Sequence, residues 1–266
     1  MSTLPLPAPS PGASLRVPRL SRGKLQVGVF LLAYLVYSIA RWLTVGDLPD
    51  ATANAHWIVD VEQSTGVDVE AAVQNAFTGS VGLWILNHLY LAAQLVVLPG
   101  ALYVLYKRSR PAYQRLRNTV LATWLLSIPV YAMFPVAPPR LADIGMIDTI
   151  TKQTGFAMDS KLTTSFYNEL AAVPSLHVGF AFAVGIAIAA ASSNRLVKVL
   201  AHLWGPTIAL AVVATGNHFV FDIAAGMVAA AAGYGLGLLY SRAGSVRIRT
   251  GMPVRRLATE GRGALS

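Results

Sequence analysis

Six long apolar runs decide what this chain can fold into. They occupy approximately residues 25–45, 81–106, 118–137, 176–194, 197–216 and 218–240. A helix rises about 1.5 Å per residue, so about 20 apolar residues cross the hydrocarbon core of a bilayer, and each run approaches that length. The fourth and fifth are shorter and rich in alanine, and the junction at 215–218 is too short for a loop domain. Hydrophobic residues make up 55% of the chain and charged residues 12%, about half the roughly 25% of a soluble domain. There is no cysteine, which excludes disulfides, thiolate metal sites and cysteine nucleophiles. The expected fold is an all-α integral membrane protein, a bundle of six transmembrane helices over 25–240. A disordered Pro/Ser-rich arm (1–24) precedes it and a basic tail (241–266) follows.

Charge orients the bundle. Cytoplasmic segments of membrane proteins carry an excess of Lys and Arg. With the N-terminus in the cytoplasm, 17 of the 21 basic residues fall on that side, in the arm, in 107–117, in 195–198 and in the tail. Only Arg41, Arg140, Lys152 and Lys161 fall outside, where the two long loops carry most of the acids. Both termini are therefore expected in the cytoplasm, as a multi-pass protein of the plasma membrane. The net charge of +9 reads as anchoring to lipid rather than to nucleic acid, because the basic residues flank apolar runs. A cleaved signal peptide over 24–40 fits poorly, since the apolar stretch is too long and Arg41 follows it. Residues 50–77 place Trp57, Ile58, Val61, Val69, Val73 and Phe77 among acids and amides, which fits one or two interfacial helices broken near Gly66. Trp42, Trp57 and Trp84 read as interfacial anchors on the outer side.

Ionisable groups at the ends of membrane spans are functional candidates, because leaving them unpaired in hydrocarbon is costly. Pro174-Ser175-Leu176-His177 closes the second outer loop and opens the fourth run. Ser175 suits an N-cap there and is a candidate phosphate-binding residue, since the free N–H groups of a helix start attract an anion. Asn217-His218 opens the sixth run, with Asp222 four residues beyond His218 and so on the same helical face. Arg140 follows the outer end of the third run. Topology thus brings two imidazoles, a carboxylate and a guanidinium to one leaflet. Such a set suits phosphoryl transfer with no metal and no cofactor: one imidazole attacks phosphorus, the other protonates the departing oxygen, and the cation stabilises the phosphoryl oxygens.

At these residues the chain resembles the type 2 phosphatidic acid phosphatase superfamily, and more particularly its inositol phosphorylceramide synthase-like (inositolphosphotransferase) branch. The resemblance runs approximately over 41–240. It implies a six-helix membrane enzyme acting on a membrane lipid phosphate, with His218 as nucleophile, Asp222 as its orienting carboxylate and His177 as general acid. Pro138-Pro139-Arg140 is similar to the branch's phosphate-contacting segment. The chain departs from the commonest superfamily pattern. The first motif, Lys, six residues, then Arg-Pro, has only Arg110-Pro111 to offer, with Tyr103 at the lysine position on the cytoplasmic side. Leu176 stands in place of the usual glycine, and Val212 in place of an arginine that the synthase-like branch also lacks. Lys161, with Lys152 as the alternative, is the candidate replacement cation.

Each residue also has a plainer reading. The histidines can serve as hydrogen-bonded interior groups, and Asp222 can simply pair with Arg140. His88, beside Asn87 and Tyr90, can line the pocket or hydrogen-bond between helices. Asn168 and Asn217 are further pocket candidates. His56 and His202 lie too far from the other histidines for a zinc cluster. Gly226, Ala230, Gly233, Gly235 and Gly237 read as a close-packing face. Two non-enzymatic alternatives use the same cluster to hold an anionic headgroup: a transporter, which would place it near the midplane, and an inactive membrane scaffold.

Overall fold

The structure is a computed structural model that describes residues 22–43, 46–156 and 168–250. Of the expected arm (1–24) and tail (241–266), residues 1–21 and 251–266 lie outside the described residues, as do Lys161 and the side chains of Arg41 and Trp42, whereas 22–24 and 241–250 are helical. Among the described residues the chain is helical, with one isolated bridge between Val136 and Ala171.

The helices are α1 (Arg22–Leu43), α2 (Leu48–Thr65), α3 (Glu70–Phe77), α4 (Val81–Ala92), α5 (Leu98–Arg108), α6 (Arg110–Met133), α7 (Thr149–Thr154), α8 (Leu176–Ala191), α9 (Arg195–Ala214) and α10 (Val220–Thr250). Their starts follow from short polar side chains that accept the first free N–H groups. Asp47, Ser80, Asp148, Ser175 and Asn194 each cap the helix that follows. A π turn over Ala93–Val97 joins α4 to α5 just before Pro99, which has no N–H to give.

All six apolar runs fall on helices. Among the described residues, three stretches are long and apolar enough to cross a membrane: Val81–Arg108, Arg195–Ala214 and Val220–Tyr240. The apolar parts of α1 and α8, Leu25–Ala40 and Leu176–Ala191, are shorter. The third run shares α6 with Arg110, Arg115 and Arg117. Residues 48–77 form two helices, with the break at Gly66, whose φ of 73° is a conformation that glycine takes at little cost.

Packing around α8 and α10 brings the distant motifs together. α8 packs along α9 and α6, and α10 packs along α6 and α8. The glycine series is indeed a packing face: a Cβ at Gly226 would overlap the Ser175 carbonyl, and one at Gly233 would overlap the Thr123 hydroxyl. Gly237 closes on Asn118, whereas Gly235 has nothing within 4 Å. The backbones of α8 and α10 therefore touch at the level where the two histidine motifs begin. Gly226→Ala is expected to lower stability by about 1–3 kcal/mol through overpacking. Gly235→Ala is expected to raise it by up to about 1 kcal/mol through helix propensity. Thermal unfolding of the two variants in detergent checks both signs.

Candidate active site

His218 lies two residues before the first turn of α10, not within it. Asp222 sits in that first turn and reaches back across the helix start. Its Oδ2 accepts from His218 Nδ1 at 3.1 Å and from Phe219 N at 2.9 Å. The acceptance from Phe219 is the returning half of a capping box, so a single carboxylate both caps the helix and orients the ring. The i,i+4 pairing expected from sequence forms, but across the helix start rather than along a helical face. His218 is 3% exposed and Asp222 0%. With Nδ1 donating to the carboxylate, the lone pair of His218 lies on Nε2, which is buried and has no hydrogen-bond partner.

His177 is the second residue of α8. Its ring stacks on Tyr90 of α4, with centroids 4.1 Å apart, and lies 6.0 Å from the His218 ring. Three contacts fix the approach to this helix. Ser175 Oγ accepts from Val178 N at 3.4 Å, Ser175 N donates to the Asp222 carbonyl at 3.1 Å, and the Tyr131 hydroxyl donates to the Pro174 carbonyl at 2.9 Å. Here Ser175 acts as the expected N-cap, with its hydroxyl turned to its own helix.

Arg140 lies in a short 3₁₀ turn, Pro139–Leu141, that follows the end of α6. Its backbone N donates to the Gly216 carbonyl at 2.9 Å and its Nε donates to Asn217 Oδ1 at 3.1 Å. Gly216 takes a φ of 71° there, which allows the chain to turn from α9 into Asn217 and His218. Nη2 of Arg140 is buried, makes no hydrogen bond and faces Glu169 at 3.6 Å. Asp222 therefore does not pair with Arg140. Unmet buried donors cost roughly 1–3 kcal/mol each, more when charged. Such a cost falls on Arg140 Nη2, a charged donor that the site leaves without an acceptor.

The remaining candidates divide. Asn217 joins the site as a brace: it accepts from Arg140 and donates to Thr215. Asn168 lines the cavity beside the histidines. His88 does not join them; its ring stacks on Trp84 at 4.0 Å and its Nδ1 bonds the Trp84 carbonyl. The neighbour two positions on, Tyr90, meets His177 instead. Asn87 is held by Thr149 and Gln153. His56 and His202 bond the carbonyls of Ala142 and Lys198. Lys152 is the last basic residue of α7, and Lys161 lies outside the described residues.

Two acids of the expected interfacial helices, to which the sequence reading gave no role, face this site's scaffold. Glu70 Oε1 accepts from Val220 N at 2.8 Å, and Glu62 Oε1 accepts from Phe221 N at 2.6 Å. They bridge 150 and 159 residues of chain to fill the acceptor role at the start of α10. Burial pushes the Glu62 carboxyl up to about 8, and the neighbouring Glu70 adds to the rise.

A cavity of about 1060 Å³ opens from His177 and His218 and runs between α1, α4, α5 and α6 as far as Gly23 and Lys107. Its walls are mainly apolar and aromatic, among them Phe30, Tyr37, Leu98 and Trp124.

Comparison with known families matches residues 56–236 to the PAP2 superfamily, and the chain belongs to it. No curated protein and no solved structure matches the chain. Superfamily membership points to phosphatase or phosphotransferase activity on phosphate esters.

The Arg140 geometry yields a binding prediction. Arg140→Lys keeps the charge but loses the donor to Asn217, and Asn217→Ala loses the brace. Each is expected to weaken orthovanadate binding about tenfold, the equivalent of about 1.4 kcal/mol. Calorimetric titration in detergent measures it.

Proposed function

We propose that this protein is an integral membrane phosphotransferase or phosphatase that acts on a lipid phosphate through a phosphohistidine at His218. The observation that carries the reading is the facing pair: His218, tied to Asp222 and with Nε2 free, stands 6.0 Å ring to ring from His177. In the first step His218 Nε2 attacks phosphorus and the bond from phosphorus to the leaving oxygen breaks. His177 gives that oxygen its proton, while Asp222 holds the Nδ1 proton and stabilises the charge on the ring. Arg140 and the first N–H groups of α8 stabilise the phosphoryl oxygens. In the second step the neutral His177 takes a proton from water or an acceptor hydroxyl. The oxygen so activated attacks phosphorus, the P–N bond breaks, and His218 returns to its neutral form. Water gives hydrolysis and an alcohol gives transfer.

The lipid part of the reading rests on the cavity, whose apolar walls adjoin the histidines and suit a long hydrocarbon tail. In this reading the chain crosses the membrane six times with both termini in the cytoplasm and the site at the outer leaflet of the plasma membrane, an orientation supported by the asymmetry of Lys and Arg. The synthase-like branch is the closer reading within the superfamily, because Pro138-Pro139-Arg140 is present and Val212 takes the place of the later arginine. Neither step calls on a metal, since the chain supplies the nucleophile, the acid and the cation.

Phosphate release or headgroup exchange from lipid phosphates is expected to continue in EDTA, to vanish in His218→Ala and to fall roughly 10²- to 10⁴-fold in His177→Ala. A nitrophenyl ester needs less help in leaving, so it should lose much less in His177→Ala. Activity unchanged in His218→Ala defeats the mechanism. If every donor fails while vanadate still binds, the protein is an anion-holding scaffold. Leu98→Trp, which fills the cavity wall away from the histidines, should raise KM for long-chain donors at least fivefold and leave short-chain donors unchanged.

A further inference from the structure

A second polar cluster lies outside the phosphate site, at the turn from α2 to α3. Carboxylate oxygens of Glu62, Asp68 and Glu70 lie within 4.8 Å of one another. Glu62 is 1% exposed and Glu70 2%, while Asp68 opens to solvent. One oxygen of each glutamate is already committed to the start of α10, Glu70 Oε1 to Val220 N and Glu62 Oε1 to Phe221 N. The other oxygen of Glu62, Oε2, is buried and has no hydrogen-bond partner. Among the described residues no Lys or Arg forms an ion pair with any of the three. Three carboxyl groups, two of them removed from water, thus converge with an acceptor to spare and no positive charge between them.

We propose that the α2–α3 turn is a calcium site, with Glu62 Oε2, Asp68 and Glu70 as its protein ligands. Calcium binds oxygen at about 2.4 Å, so two of its ligands lie up to about 4.8 Å apart, the span of this cluster. Magnesium, at about 2.1 Å, needs them within about 4.2 Å, which would require the turn to contract. Asp68 gives the ion a route from solvent, and water completes the six to eight ligands that calcium takes. The same two glutamates then serve two partners through different oxygens: helix N–H groups on one side and the cation on the other. The ion would clamp the end of α2 and the start of α3 to the helix that follows His218. It would act on position and stability and take no part in the chemistry.

The test uses the full chain in non-ionic detergent, stripped with EDTA, and needs no phosphate substrate. Calcium should raise the unfolding temperature by about 5 °C or more and saturate, with magnesium less effective. Terbium should bind with luminescence excited through tryptophan, Trp57 being on α2, and calcium should displace it. Asp68→Asn removes a ligand that caps no helix, so its unfolding temperature in EDTA should match wild type while its calcium midpoint rises at least tenfold. Glu62→Gln keeps an acceptor for Phe221, and should lose the calcium response while being more stable than wild type in EDTA. No calcium shift and no terbium signal in wild type would overturn the site and leave a proton shared between Glu62 and Glu70. A shift of the same size and midpoint in Asp68→Asn would also overturn it, by placing the ion elsewhere.

Discussion

The start of α10 is the constraint on which the site depends. A helix that begins in the protein interior has N–H groups that its own turns cannot satisfy. Here three carboxyl groups accept them or their neighbours: Glu70 takes Val220, Glu62 takes Phe221, and Asp222 reaches back to Phe219. The first two come from α2 and α3, so this small helical pair has to sit over the end of the bundle. The third also holds His218. One set of hydrogen bonds therefore ends the loop after α9, positions the ring and attaches the outer helices. The positive end of the helix dipole favours carboxylates at this point, and gives a physical reason for collecting acids beside a site that would bind an anion.

Close backbone packing supplies the second half of the geometry. Because Gly226 lets α10 meet the chain at Ser175, the start of α8 and the start of α10 lie side by side, and Ser175 N donates to the Asp222 carbonyl. His177 follows directly, flattened against Tyr90. Arg140 arrives from a third direction, fixed through its backbone to Gly216 and through Nε to Asn217. The polar groups gather at one end of the helices, and the apolar cavity runs from them toward the other end. This arrangement suits an amphiphile whose phosphate and tail are handled by different parts of the fold. It differs from the midplane site and paired broken helices expected of a transporter.

Much of this was legible in the sequence, for physical reasons. A membrane-length apolar run constrains the backbone strongly: among the described residues each of the six expected runs falls largely on a helix, and three stretches are long and apolar enough to cross a membrane by themselves. Arg140, His177, His218 and Asp222 were recognisable because polar groups at the ends of apolar runs are few, and topology alone puts them at the same end. What escaped depended on contacts that sequence spacing does not encode. Glu62 and Glu70 fell in the expected interfacial helices with no assigned role, because their partners lie 150 or more residues away. His88 offered two readings, lining the pocket or hydrogen-bonding between helices; two positions along a helix point in different directions, and Tyr90 rather than His88 meets His177. Asn217 was flagged as a pocket residue; its role as a brace for Arg140 becomes visible only once the loop after α9 is folded.

The most direct measurement is rapid quenching of the full chain during turnover of a lipid donor carrying radiolabelled phosphate, followed by mapping of the labelled peptide. A nucleophilic His218 predicts an acid-labile, base-stable label on the peptide containing residue 218, formed and lost at rates compatible with turnover. Label on the His177 peptide instead, or multiple turnovers with no covalent label at any quench time, would contradict it.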